Sequence, residues 1–152
     1  MKHTIYPILF LFILFNIPVN AGEVNSSKAS EVAEHFYFSQ FGDHSATRPS
    51  DFNAELVQTF SRSELNLYHI FNVNSAGYVI VSAWDGTVPV LAASNREAYN
   101  REAADLPPAM QEMLELYADQ IFRAVKNQIE ATDKIAAMWQ KYQQQRQSGP
   151  VR

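Results

Sequence analysis

Residues 68 to 82, Tyr-His-Ile-Phe-Asn-Val-Asn-Ser-Ala-Gly-Tyr-Val-Ile-Val-Ser, constrain the fold more than any other stretch of the chain. Two β-rich runs flank Asn74-Ser75-Ala76-Gly77, which predicts a four-residue hairpin loop closed by Gly77 at positive φ. Ile70, Phe71, Val73, Tyr78, Val79, Ile80 and Val81 are β-branched or aromatic, types that fit a pleated, half-buried surface. A third apolar run, Val88 to Ala93, follows the Asp85-Gly86 turn and extends the meander. His69 alternates with the apolar residues of its strand, which predicts a place on the solvated face. Upstream, Glu55 to Phe60 reads as a strand with Leu56 and Phe60 on one face, and Ser61 to Asn66 as a turn.

Helical spacing brackets this sheet. Ala29, Val32, Ala33, Phe36, Tyr37 and Phe41 recur along one face of a first helix, with Ser27 or Ser30 as its cap and Gly42 as its stop. Residues 43 to 51 are polar, contain Pro49 and read as a loop. The polar stretch from Asn95 to Asp105 reads as a loop or one helical turn. A long helix follows, with Asp105 as its expected cap and Pro107 and Pro108 in the first turn, where a missing amide costs nothing. Met110, Leu114, Tyr117, Ile121, Val125 and Ile129 form its apolar stripe. Thr132-Asp133 interrupts that stripe before Ile135, Ala136, Met138, Trp139 and Tyr142. The expected fold class is α+β: an antiparallel sheet of about four strands packed against an N-terminal helix and a long C-terminal helix.

The first 21 residues read as a cleavable signal peptide. Lys2 and His3 precede an almost wholly apolar run from Ile5 to Pro18, and Val19-Asn20-Ala21 supplies the residues a signal peptidase reads before Gly22. The apolar run is shorter than the ~20 residues a spanning helix needs, and Pro7 and Pro18 weaken it further. Residues 22 to 27 then form a loose mature terminus, 22 to 142 the domain, and 143 to 152 a disordered tail. Without Lys2, 11 basic residues face 16 acidic ones, a net charge of −5. That balance argues against nucleic acid or an anionic membrane as partner, because both need a basic patch. Cysteine is absent, so stability must come from packing without disulfides and no cysteine nucleophile exists.

Little else is arranged for chemistry. Glu31 and His35 lie four apart, a spacing that can share a metal, but there is no His-Glu-x-x-His word and no third ligand. Histidines on a polar helix face are the reading preferred for them. No Gly-x-Ser-x-Gly elbow is present, and Glu112, Glu115, Asp119 and Arg123 fit a solvated helix face. No enzyme activity, metal or cofactor is expected.

The wording of two segments adds a family. Residues 67–94, LYHIFNVNSAGYVIVSAWDGTVPVLAAS, and 106–121, LPPAMQEMLELYADQI, resemble the propeptide and inhibitor domains of streptopain-type cysteine proteases. That family carries a Tyr-Val-Phe-Asn-like strand leading through Gly into Phe/Tyr-Val-Ile-Val-Ser, then a Pro-Val-Leu-Gly-Tyr-Ser-like strand and a helix ending near Tyr-x-x-Gln-Ile. The resemblance covers roughly residues 28 to 140. It implies a domain that holds a papain-like protease inactive, here as a stand-alone exported inhibitor, monomeric when free. A detached propeptide acting as a folding chaperone is a close variant of that reading.

In the family, the loop before the long helix places an asparagine-like side chain in the protease cleft. The matching position is Asp105, followed by Leu106 and Pro107; an acid there replaces an amide of the same shape and loses its N–H donors. Asn100 is the alternative plug if the register shifts. Ser82-Ala83-Trp84-Asp85-Gly86 and Ala92-Ala93 also depart from the family pattern. Trp84 is either a partner contact or a ring folded back on the sheet. The rival from another class is an exported adhesion or scaffolding module that oligomerises through its C-terminal helix.

Overall fold

The computed structural model describes residues 21–100 and 107–143. The expected signal sequence up to residue 20, Asp105, Leu106 and the tail beyond Gln143 lie outside the described residues. The order of elements is α1 (Ser26–Phe41), a short 3-10 turn (Pro49–Asp51), β1 (Ala54–Arg62), β2 (Leu65–Val73), β3 (Gly77–Ser82), β4 (Val90–Ser94), α2 (Pro108–Lys126) and α3 (Asp133–Gln143). The four strands form one antiparallel sheet in the order β1-β2-β3-β4. The α+β class and the N- and C-terminal helices expected from the sequence are present.

The central hairpin pairs from Tyr68 with Ser82 to Val73 with Gly77. Its turn is made differently from expectation. Asn74 and Ser75 carry the positive φ angles, 49° and 55°, and Gly77 does not. Asn is among the residues that tolerate the left-handed region. Glycine at 77 answers to space instead: a Cβ there would lie 2.1 Å from the Ser94 carbonyl oxygen and 2.5 Å from the Tyr37 hydroxyl. Between β1 and β2, Ser63 and Glu64 both have positive φ, 51° and 64°, the conformation of a two-residue hairpin loop.

A bulge in β1 corrects the expected pairing of Leu56 and Phe60 on one face. Leu56 lies opposite Phe71, whereas Gln58 already lies opposite Ile70 and Phe60 opposite Tyr68. One extra residue reverses the alternation. Leu56 is therefore 45 % exposed on one side, while Phe60 stacks on Tyr68 on the other, ring centroids 5.0 Å apart.

Both faces of β2 and β3 are covered. Phe71, Val73, Val79 and Val81 pack against Val32, Ala33 and Tyr37 of α1 and Trp139 and Tyr142 of α3. Tyr68, Ile70 and Ile80 pack against Leu114, Ala118 and Ile121 of α2. The C-terminal stripe is thus divided between two helices on opposite sides of the sheet. Gln128 at φ 50° lies in the connection, and Ile129, expected on the α2 stripe, is 49 % exposed beyond the end of that helix. Each large aliphatic side chain fully buried in these layers contributes about 1.5–3 kcal/mol, in a chain without disulfides.

Three further expectations are corrected. The α1 cap is Asn25, whose Oδ1 accepts from the Lys28 amide at 2.9 Å, and neither Ser27 nor Ser30 fills that role. The N-cap of α2 is Pro107, without a side-chain bond, so Asp105 is not at the capping position. Residues 22 to 24 are pinned to the sheet: Val24 is fully buried, its amide donates to the Ala83 carbonyl at 2.9 Å, and Glu23 bridges Trp84.

Candidate functional site

The chain leaves β4 at Ser94, which pairs with Tyr78, and next meets Asn72. This residue sits mid-sheet, opposite Glu55 on one side and Tyr78 on the other. Its Oδ1 accepts from the Tyr99 amide at 2.7 Å, and its Nδ2 donates to the Tyr99 carbonyl at 3.0 Å. A carboxamide offers one donor edge and one acceptor edge, so it grips a residue's two backbone groups as a neighbouring strand would. The Tyr99 ring meets Tyr78 edge-on, centroids 6.0 Å apart. Burial, with Glu97 and Tyr99 nearby, pushes the Tyr78 hydroxyl above its usual range, so it stays neutral.

Asn100 follows this clamp and is exposed. At the far end of the loop, Pro107 is exposed too, and its carbonyl accepts from the Met110 and Gln111 amides at 2.8 and 3.1 Å. The described ends of the loop are therefore both fixed, one by a side-chain clamp and one by the first turn of α2. Of the expected inhibitory segment, the structure places Asn100 and Pro107 at these two ends; Asp105 and Leu106 fall outside the described residues. Asn72 was not among the residues singled out from the sequence. Its signals there are a polar side chain between Phe71 and Val73 in a β-rich run and its place at the Asn of the Tyr-Val-Phe-Asn-like strand.

Trp84 belongs to the other end of β3. Its ring is half-buried and its indole N–H donates to the Ile129 carbonyl at 3.3 Å, so the side chain leans on the connection between α2 and α3. Gly86 completes that contact, because a Cβ there would lie 2.3 Å from the same carbonyl oxygen. The structure does not bring Trp84 together with Asn100 and Pro107.

Of the histidines expected at the surface, His44 is exposed, whereas His35 and His69 are internal. His35 is 5 % exposed and its Nδ1 bonds the Tyr142 carbonyl, joining α1 to α3. His69 is 2 % exposed; Nε2 donates to the Val24 carbonyl at 2.9 Å, and Nδ1 lies 2.9 Å from the Thr59 hydroxyl. Burial holds its pKa below the usual value, against smaller opposing effects of the Val24 bond and Glu23. Both rings serve the packing of neighbouring elements. Among the described residues no group of three or more carboxylates and histidines could hold a metal, and no helix is long and apolar enough to cross a membrane.

A family model described as Spi protease inhibitor matches residues 21–121, two thirds of the chain. No curated protein and no solved structure matches it. The matched region starts at the pinned segment before α1, takes in the whole sheet and the clamped loop, and ends within α2 at Ile121, so the chain belongs to the Spi protease inhibitor family.

Proposed function

We propose that the chain is an exported, stand-alone inhibitor of a streptopain-type, papain-like cysteine protease, and that the loop between β4 and α2 enters the protease cleft. The observation that carries this reading is the Asn72 clamp on Tyr99. A loop whose ends are already ordered loses less conformational freedom on binding, and more of its contact energy appears as affinity. Asp105 or Asn100 is the plug at the active site, with Leu106 and Pro107 beside it. Shape-complementary burial around the plug supplies most of the binding energy, with few polar contacts. The segment before Gly22 directs export.

The chain contains no cysteine and so has no thiol nucleophile of its own. A helix-mediated adhesion module would need the C-terminal stripe exposed. Leu114, Ala118, Ile121, Trp139 and Tyr142 are instead buried, and no observation favours that alternative. Titration against a streptopain-type protease tests the reading. Equimolar, reversible loss of protease activity is expected, with the inhibitor recovered intact. A protein that leaves several such proteases fully active overturns it.

A further inference from the structure

Beyond the loop, the start of the described chain carries a second assignment. Gly22, Glu23 and Val24 lie antiparallel to residues 83–85, held by two backbone bonds that flank the Glu23–Trp84 pair. Val24 N–H donates to the Ala83 carbonyl at 2.9 Å, Glu23 bridges Trp84, and Asp85 N–H donates to the Gly22 carbonyl at 3.1 Å. The Gly22 nitrogen itself lies 2.5 Å from Oδ1 of Asp85. An uncut chain has an amide at that nitrogen. Cleavage between Ala21 and Gly22 would make the same atom an ammonium group, already in contact with a carboxylate.

We propose that Gly22–Asp85 is a maturation site: removal of the export segment converts a hydrogen bond into an ion pair that locks the new N-terminus onto the turn between β3 and β4. The proposal rests on the export reading given above, and specifically on cleavage before Gly22. Hydrolysis of the Ala21–Gly22 peptide bond consumes one water and leaves the Ala21 carboxylate on the released segment and the protonated amine on Gly22. A hydrogen bond between two ionised groups is about twice as strong as one between neutral groups, and the contact is partly buried, which limits screening.

The surroundings suit this role. Ala21 and Asp85 both border a cleft of about 180 Å³ between the turn and α3, so the scissile bond is not enclosed in the core. Among the described residues, Glu23, Lys28 and Glu130 are the other charges near: Glu23 accepts from Asn66 Nδ2 at 2.8 Å, the Lys28 ammonium sits 5.8 Å over the Trp139 ring, and Glu130 lines a second cleft with Ala21 and Trp84. The turn held by Asp85 also carries Trp84 and Gly86, the two residues that meet the Ile129 carbonyl. Processing thereby tightens the contact between the sheet and the α2–α3 connection.

The test compares residues 22–152 carrying a free Gly22 amine with the same protein N-acetylated at Gly22. Acetylation keeps one N–H donor, restores at that nitrogen the amide of the uncut chain and removes the charge. The free form is expected to melt higher by about 1–4 °C, a shift in the range of one partly screened ion pair in a chain of this size. Asp85→Asn should abolish that difference, and the exported protein should begin Gly-Glu-Val. Equal melting of the free and acetylated forms overturns the ion pair, and this comparison needs no variant to fold. A difference that persists in Asp85→Asn also overturns it. An exported product with a different first residue overturns the processing step while leaving the inhibitory reading standing.

Discussion

Asn72→Ala removes the two bonds that fix Tyr99, at 2.7 and 3.0 Å, and touches no residue expected to meet the protease. Each bond contributes about 0.5–1.5 kcal/mol net, so the pair is worth about 1–3 kcal/mol. Part of that appears as stability, read as a drop in Tm of roughly 2–4 °C per kcal/mol. The rest appears on binding, because a loop released at one root must be ordered by the protease. If the whole of it is transferred, inhibition weakens by about 5- to 150-fold. Asn72→Asp should do no better, since it keeps an acceptor for the Tyr99 amide but sets an anionic oxygen against the Tyr99 carbonyl. The assay is an inhibition constant for a streptopain-type protease at 25 °C, well below the melting transition of each variant. A lowered Tm with an inhibition constant unchanged within about twofold would refute the reasoning, because the clamp would then hold the fold and not the inhibitory loop.

Three more outcomes are expected. Ile80 and Val81 are fully buried on opposite faces of β3; Ile80→Ala should cost about 2–5 kcal/mol in denaturant unfolding, and Val81→Ala should also destabilise, whereas unchanged midpoints for both would contradict the layered core. Stability should fall as pH drops below about 6.5, because the unfolded chain protonates His69 near its ordinary value while burial holds the folded pKa lower. This contribution is complete above the unfolded pKa and is lost as pH falls toward the folded one. His69→Gln should flatten the slope of the urea midpoint between pH 7.5 and 5, and an identical slope would exclude His69 as its source. Because Pro107 occupies the N-cap of α2, Asp105→Ala should weaken inhibition with little change in Tm, and Asp105→Asn should inhibit at least as tightly as the parent; if Asn100→Ala alone weakens inhibition, Asn100 is the plug.

The central hairpin strands, the first helix and the existence of α2 were legible because their signals are local: β-branched runs, helical spacing and a Pro-Pro pair near the helix start. What escaped was fixed by distant parts of the chain. Asn25, Ser27 and Ser30 are comparable caps in sequence, and Asn25 takes the role where Val24 is still held to Ala83. His69 was expected in solvent because alternation assumes a one-sided sheet. The near-continuous apolar run Tyr78-Val79-Ile80-Val81 is the signal of a strand buried on both faces, and α1 with α3 on one side and α2 on the other cover it. The bulge at β1 that separates Leu56 from Phe60 has no proline or glycine to announce it. Of the candidate site, Asn100 and Pro107 were read from the sequence, and the clamp was not, because Asn72 acquires its partner only when residue 99 folds back over β2.

Active-site titration of a streptopain-type cysteine protease with the protein beginning at Gly22 tests the central claim most directly. Activity should fall linearly to zero at one inhibitor per active enzyme, return when the complex is dissociated, and leave the inhibitor uncut between Asn100 and Pro107. Undiminished activity at inhibitor excess across several such proteases, or steady cleavage of that loop as a substrate, would contradict it.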